Sequence, residues 1–110
     1  MTKGATERVI ASGGNVFADM GLPDAAELDT KAHLGATIIR VVERCGLTQA
    51  EVAAALEINQ PKVSALLHYK LEGFSVERLM RFLVALGQDV EIVVKAKPRS
   101  RSARIAVSAA

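Results

Sequence analysis

Between Leu47 and His68 the chain starts a helix twice in quick succession, and that doubling limits what the rest can fold into. Thr48 offers a side-chain oxygen where a helix needs an N-cap, and Glu51 three positions on completes a T-x-x-E capping box. Val52, Ala53 and Leu56 follow at three-and-four spacing, the stripe of one buried helical face. Asn59 is a second N-cap, and Pro61 falls in the next helix's first turn, where a missing N–H breaks no intrahelical bond. Val63, Leu66 and Leu67 face inward from that second helix, and Ile58 is a lone apolar residue in the turn, placed to plug the angle between the two. Gln60, Lys62, Ser64, Ala65 and His68 are left for its outer and flanking surfaces.

A helix braced from behind in this way leaves a small polar first turn free to enter a DNA major groove. Glutamine can bond a base edge through two atoms, lysine can reach guanine or phosphate, and serine can meet either. Ala65 or Pro61 on the outer face offers apolar contact to a thymine methyl. Tight helix pairs also occur in small helical proteins that never meet DNA. Two successive caps with an apolar plug are a narrower pattern, that of a helix-turn-helix.

Taken in order, Met1 to Asn15 is expected to be mobile, mixing Thr, Lys, Ser and Gly-Gly. Val16 to Met20 is a short apolar tether closed by Gly21. Leu22-Pro23-Asp24 starts a long helix running to Arg44 or Cys45, with Leu28, Leu34, Ile38, Ile39, Val41, Val42 and Cys45 on or near its inner face and Gly46 as its stop. Gly35 in mid-helix costs about 1 kcal/mol and marks either close packing or a break. Tyr69 to Gly73 is a loop ending at Phe74, after which Ser75 caps a helix from Val76 to Leu86 with Leu79, Phe82, Leu83 and Leu86 inward, Arg78 and Arg81 on other faces, and Gly87 at its end. Lys70 and the first turn of that helix are placed to grip backbone phosphates. From Asp89 to Ala96 the period changes: Val90, Ile92 and Val94 alternate with Glu91, Val93 and Lys95, which is strand behaviour. A single strand cannot satisfy its own backbone groups. Its natural partner is the same strand of a second copy, antiparallel across a two-fold axis, with strand addition by a different protein as the competing use.

The 110 residues make one domain by size, and tryptophan is absent, so the core is built from Ala, Leu, Val and Ile. The net charge of +2 conceals a division. Lys95, Lys97, Arg99, Arg101 and Arg104 all stand after the last ordered-looking element with no acid among them; without those five, nine basic residues face twelve acidic ones, a formal −3. Such a body cannot hold DNA by bulk charge and needs a local basic face, for which Lys62, Lys70, Arg78 and Arg81 are the candidates. One cysteine allows no internal disulfide and fits a reducing cytosol. No apolar run approaches the ~20 residues that cross a bilayer, and a cytoplasmic location without membrane contact is expected. Catalysis finds no footing: Cys45 reads as a core residue, His33 and His68 are far apart, no metal-ligand spacing or phosphate-binding glycine loop is present, and no cofactor is expected.

The tract T-Q-A-E-V-A-x-x-L-x-I-N-Q-P-x-V-S resembles the helix-turn-helix of the Cro and phage-repressor (XRE) superfamily. The wider span from Asn15 to Lys95, with N-V-F-A-D-M-G-L-P-D before it and F-S-V-E-R-L-M-R-F-L-V-A-L-G-Q-D-V-E-I behind, resembles the small HigA-like antitoxins and antitoxin-like repressors of bacteria. The resemblance implies an all-α, lambda-repressor-like bundle of about four or five helices with a short C-terminal strand pairing across a dimer. It also implies that Gln49 anchors a phosphate, and that Gln60, Lys62 and Ser64 hold base-reading or phosphate positions. Glu57 departs from the pattern, since the superfamily often has glycine in the turn, and a left-handed backbone there costs a non-glycine residue.

The expected organisation is an N-terminal arm over 1–22, a helix-turn-helix domain with its strand over 23–96, and a disordered basic tail over 97–110. The candidate DNA-binding set is Thr48, Gln49, Asn59, Gln60, Pro61, Lys62, Ser64, Ala65, His68 and Lys70; the candidate dimer face is Val90, Ile92 and Val94. Double-stranded DNA with a palindromic operator is the expected partner of a homodimeric repressor. The resemblance adds a RelE- or HigB-like toxin, which an antitoxin would cover while repressing the shared promoter. A stand-alone XRE-family repressor, or a module whose main task is neutralising a partner protein, are the alternatives.

Overall fold

The computed structural model describes residues 25–109, and four helices form there: α1 (Ala25–Cys45), α2 (Gln49–Leu56), α3 (Gln60–Leu67) and α4 (Val76–Ala85). The N-terminal arm, the apolar tether and the Pro23-Asp24 helix start lie outside the described residues. The capping chemistry explains the starts. Thr48 accepts from the Glu51 N–H at 3.1 Å while the Glu51 carboxylate accepts from the Thr48 N–H at 2.8 Å, a complete capping box. Asn59 accepts from the Lys62 N–H at 2.9 Å, and Ser75 accepts from the Arg78 N–H at 3.1 Å.

All four helices stop by one device, a residue in the left-handed region followed by a bond from the next N–H back to the helix. After α1 the Gly46 N–H donates to Glu43 and the Leu47 N–H to Val42. After α4 the Gly87 N–H donates to Val84 and the Gln88 N–H to Leu83. After α2 the left-handed residue is Glu57, at φ +57°, with the Ile58 N–H donating to Ala53. After α3 it is Tyr69, at φ +62°, with the Lys70 N–H donating to Ala65.

One core unites the elements. Leu34, Ile38, Val41 and Val42 of α1 meet Val52 and Leu56 of α2, Val63 and Leu66 of α3, and Leu79, Phe82 and Leu83 of α4, with Leu71 and Phe74 added from the α3–α4 connection. The principal pairings are α1 on α4 and α2 on α3. Ile58 packs against the core from the turn, as its place between the caps implies. Gly35 marks close packing and not a break: a Cβ there would stand 3.1 Å from the Leu71 Cδ1.

Two expectations need correction. Leu28 is 56% exposed, because it lies at the margin of the stripe that Leu34, Ile38 and Val41 define, in the first turns of α1. Cys45 is exposed and not a core residue. It is in line with the stripe but is the last residue of α1, and the chain reverses at Gly46 so that Leu47 covers the core end in its place. The strand expected over Asp89 to Ala96, with its pairing across a dimer, is not shown: the segment has no regular element in the single chain. Of its alternating residues, Val90 packs partly against the chain's own core, whereas Ile92 and Val94 are exposed, as is Val93 between them. The stretch expected as a free tail has no regular element either, yet Val107 within it is partly buried against the core.

Candidate nucleic-acid interface

α3 is held by its back. Val63 and Leu66 are completely buried and Leu67 packs partly against the core, so the opposite side of the helix is fixed in orientation. Burying a Val or Leu side chain is worth about 1.5–3 kcal/mol, enough to anchor a helix of eight residues that is too short to stand alone. The exposed side begins at the N-cap: Asn59, Gln60, Pro61 and Lys62 are exposed, while Ser64 and Ala65 are half-buried along the flank. His68 is exposed and held by its ring, its Nδ1–H donating to the Ser64 carbonyl at 2.7 Å.

Asn59, Pro61, Lys62, Ala65 and Lys70 are brought together around one shallow open groove, completed by Glu72, Gly73 and Phe74 of the α3–α4 connection. Thr48 and Gln49 are exposed at the start of α2, the other helix of the pair. The geometry is therefore two capped helix starts on a braced pair, with the first turn of α3 and Lys70 presenting the available cations. Neither Lys62 nor Lys70 is ion-paired among the described residues.

The two arginines expected to contribute to a local basic face, Arg78 and Arg81, are differently occupied. Arg81 is bound to Glu77, its Nη2 donating at 2.8 Å to the carboxylate, one turn apart on α4. Arg78 lies over two rings, 5.4 Å from the Phe74 centroid and 5.5 Å from that of Phe82. Those rings meet edge to face at 5.7 Å. A guanidinium over ring faces gains about 0.5–1 kcal/mol at an exposed site, which makes Arg78 a brace for Phe74 at the groove wall.

Tyr69, which is 54% exposed directly after α3, stands outside every motif read from the sequence. One signal points to it. No glycine stands among the first five residues after α3, so whichever residue ends that helix by the common device must itself go left-handed. Glu72 also belongs to no motif, and as an exposed acid at the groove it opposes Lys62 and Lys70.

A pair of short helices joined by a tight turn, the second buried along one side and polar at its leading turn, defines a helix-turn-helix protein. A family model described as a helix-turn-helix domain matches residues 16–95, and the chain belongs to that family. A solved structure described as an XRE-family transcriptional regulator is 63% identical, with a TM-score of 0.76, over 80% of this chain and 100% of that one. The chain is thus an XRE-like helix-turn-helix protein. No curated protein matches it. Among the described residues, no helix is long and apolar enough to cross a membrane.

Proposed function

We propose that this protein is a sequence-specific DNA-binding regulator of transcription, acting as a repressor in the cytoplasm. The observation that carries this is α3 itself: its back is sealed by Val63 and Leu66 while Gln60, Pro61 and Lys62 stand exposed at its leading turn. In this reading the first turn of α3 enters the major groove. Gln60 and Lys62 meet base edges or phosphates, Ser64 and Ala65 border the groove wall, and Pro61 offers apolar contact to a thymine methyl. Asn59 and Thr48 set the two helix starts, Gln49 and Lys70 take phosphates on either side, and His68 closes the far end of the helix. The likeness to an XRE-family transcriptional regulator supports the same conclusion.

Two copies acting on a palindromic operator complete the proposal. Ile92, Val93 and Val94 are 73%, 70% and 62% exposed in the single chain, a run of β-branched residues unusual at a free surface. Pairing this run antiparallel with its own copy covers it and sets two recognition helices about one helical turn of DNA apart. The resemblance to HigA-like antitoxins adds a finer role, in which the protein also covers a small RelE- or HigB-like toxin and represses the shared promoter. Co-purification of a neighbouring gene's basic product with this chain supports that role, and its absence leaves a stand-alone repressor.

Duplexes enriched by the protein from a random pool provide the test. Gln60→Ala combined with Lys62→Ala is expected to abolish preference for the enriched sequence while moving stability by no more than about 0.5 kcal/mol, since both positions are exposed. Preference retained in full places recognition elsewhere. Ile92→Asp is expected to convert a dimer to a monomer in light scattering, and a persisting dimer moves the interface.

A further inference from the structure

A second cation-bearing element lies outside the helical pair. Val90 and Val107 are both partly buried against the same core, so the chain between them leaves the body and returns to it. The reversal is a turn at residues 99–101, and neither leg contains a regular element. Lys95, Lys97, Arg99, Arg101 and Arg104 all lie on this excursion, and no acidic residue follows Glu91. Four of the five cations are exposed and Arg101 is half-buried. None is paired with a carboxylate among the described residues. The family match ends at residue 95, so four of the five, Lys97, Arg99, Arg101 and Arg104, lie beyond the helix-turn-helix domain as matched.

We propose that residues 95–104 form a basic arm that grips the phosphates of duplex DNA beside the helical pair. The proposal rests on the DNA-binding reading above and extends it to a second surface. The helical pair is poorly equipped to supply affinity alone. Its unpaired cations near the groove are Lys62 and Lys70, Glu57 and Glu72 are exposed close by in sequence, and the chain without the arm's five cations is formally −3. Phosphate contacts supply most of the sequence-independent affinity of DNA-binding proteins, through release of counterions. Five cations within ten residues reverse the sign of what approaches the duplex.

Duplex DNA fits better than a single strand. No Phe, Tyr or Trp follows Phe82, so the arm has no ring on which an unpaired base could stack. Its spacer residues are Ala, Ser and Pro, small enough to bring the backbone close to phosphates. The shorter leg, from Arg101 back to Val107, limits the reach to about 20 Å at ~3.3 Å per residue, more than half a turn of duplex. Rooting at Val90 and Val107 restricts the volume the arm explores and so reduces the ordering cost of binding.

The test replaces Lys95, Lys97, Arg99, Arg101 and Arg104 together by Gln in the full chain. None of the five is buried, so the melting temperature is expected to stay near that of the wild type, and it is measured alongside. Binding to a mixed-sequence duplex of about four helical turns is followed by fluorescence anisotropy between about 50 and 200 mM salt. For the arm variant the dependence of log affinity on log salt is expected to flatten by about two to four units, at ~0.9 for each phosphate no longer neutralised. Preference for the enriched sequence over the mixed duplex is expected to match the wild type, because the arm reads no bases. A slope equal to that of the wild type overturns the arm. A wild type that shows no salt-dependent duplex binding at all overturns the DNA-binding reading with it. A wild type that binds and selects sequence, beside an arm variant of unchanged slope, leaves the helical pair standing and removes the arm alone.

Discussion

α1 and α4 end on glycines, whereas α2 and α3, the pair that faces outward, end on Glu57 and Tyr69 in the same left-handed conformation. The bonds that close the four helices are alike. The difference lies in the residue asked to adopt the conformation. Glycine enters it without a Cβ penalty, while other L-residues lose about 1–2 kcal/mol. Backbone strain is therefore concentrated in the half of the molecule proposed to meet DNA, and the two helices that form its support are closed without it. Strained backbone held in place by surrounding packing recurs at functional sites; here Val52, Leu56, Val63 and Leu66 supply that packing.

Substitution at the four helix ends breaks or sharpens this contrast. The largest effect is expected at the supporting helices: Gly46→Ala or Gly87→Ala should each destabilise by about 1–2 kcal/mol. At neither position would an added Cβ meet any atom within 4 Å, so the loss is backbone strain alone and not a clash. A thermal melt lowered by roughly 4–8 °C per kcal/mol checks it. An unchanged melt would mean that the left-handed geometry is not what stops these helices.

Next in size is the reverse change in the outward pair. Glu57→Gly should stabilise by about 0.5–1 kcal/mol, the strain relieved less the added freedom of the unfolded chain. It also removes an acid from the turn, so affinity for duplex DNA should rise in the same variant. Urea titration resolves the first effect, and a stability that falls would show Glu57 to be unstrained.

The smallest effect is expected at Gly35, where φ is ordinary and the question is space. Gly35→Ala gains about 1 kcal/mol of helix propensity and sets a Cβ 3.1 Å from the Leu71 Cδ1. Leu71 is a flexible side chain at 8% exposure on a loop, able to yield a few tenths of an ångström, so the net change should stay within about 0.5 kcal/mol. A loss well beyond that would make the packing of α1 on the loop stiffer than the loop's lack of regular structure implies.

The residues that shape the helical pair are legible in the sequence because their roles are local. Thr48 with Glu51, Asn59 with Lys62 and Ser75 with Arg78 each bond across three positions, so spacing alone places them. The inward set Val52, Leu56, Val63 and Leu66 follows from helical period for the same reason. Cys45 defeats the same rule, because period continues along a helix without regard to where the neighbouring helices end. The strand expected over Asp89 to Ala96 rests on alternation, which reports a segment's aptitude for pairing and not the presence of a partner.

The chain's order of letters thus determined where helices begin, where each can end and which face of each is apolar, since these depend on hydrogen bonds and dihedral preferences only a few residues long. Tertiary structure alone decided that Arg78 lies over Phe74 and Phe82, that Gly35 makes room for Leu71, that Leu47 covers the end of the core that Cys45 leaves, and that Val107 comes back to the body. Each of those depends on groups distant in sequence meeting in space, and such meetings are fixed by how whole elements pack, which no local pattern records.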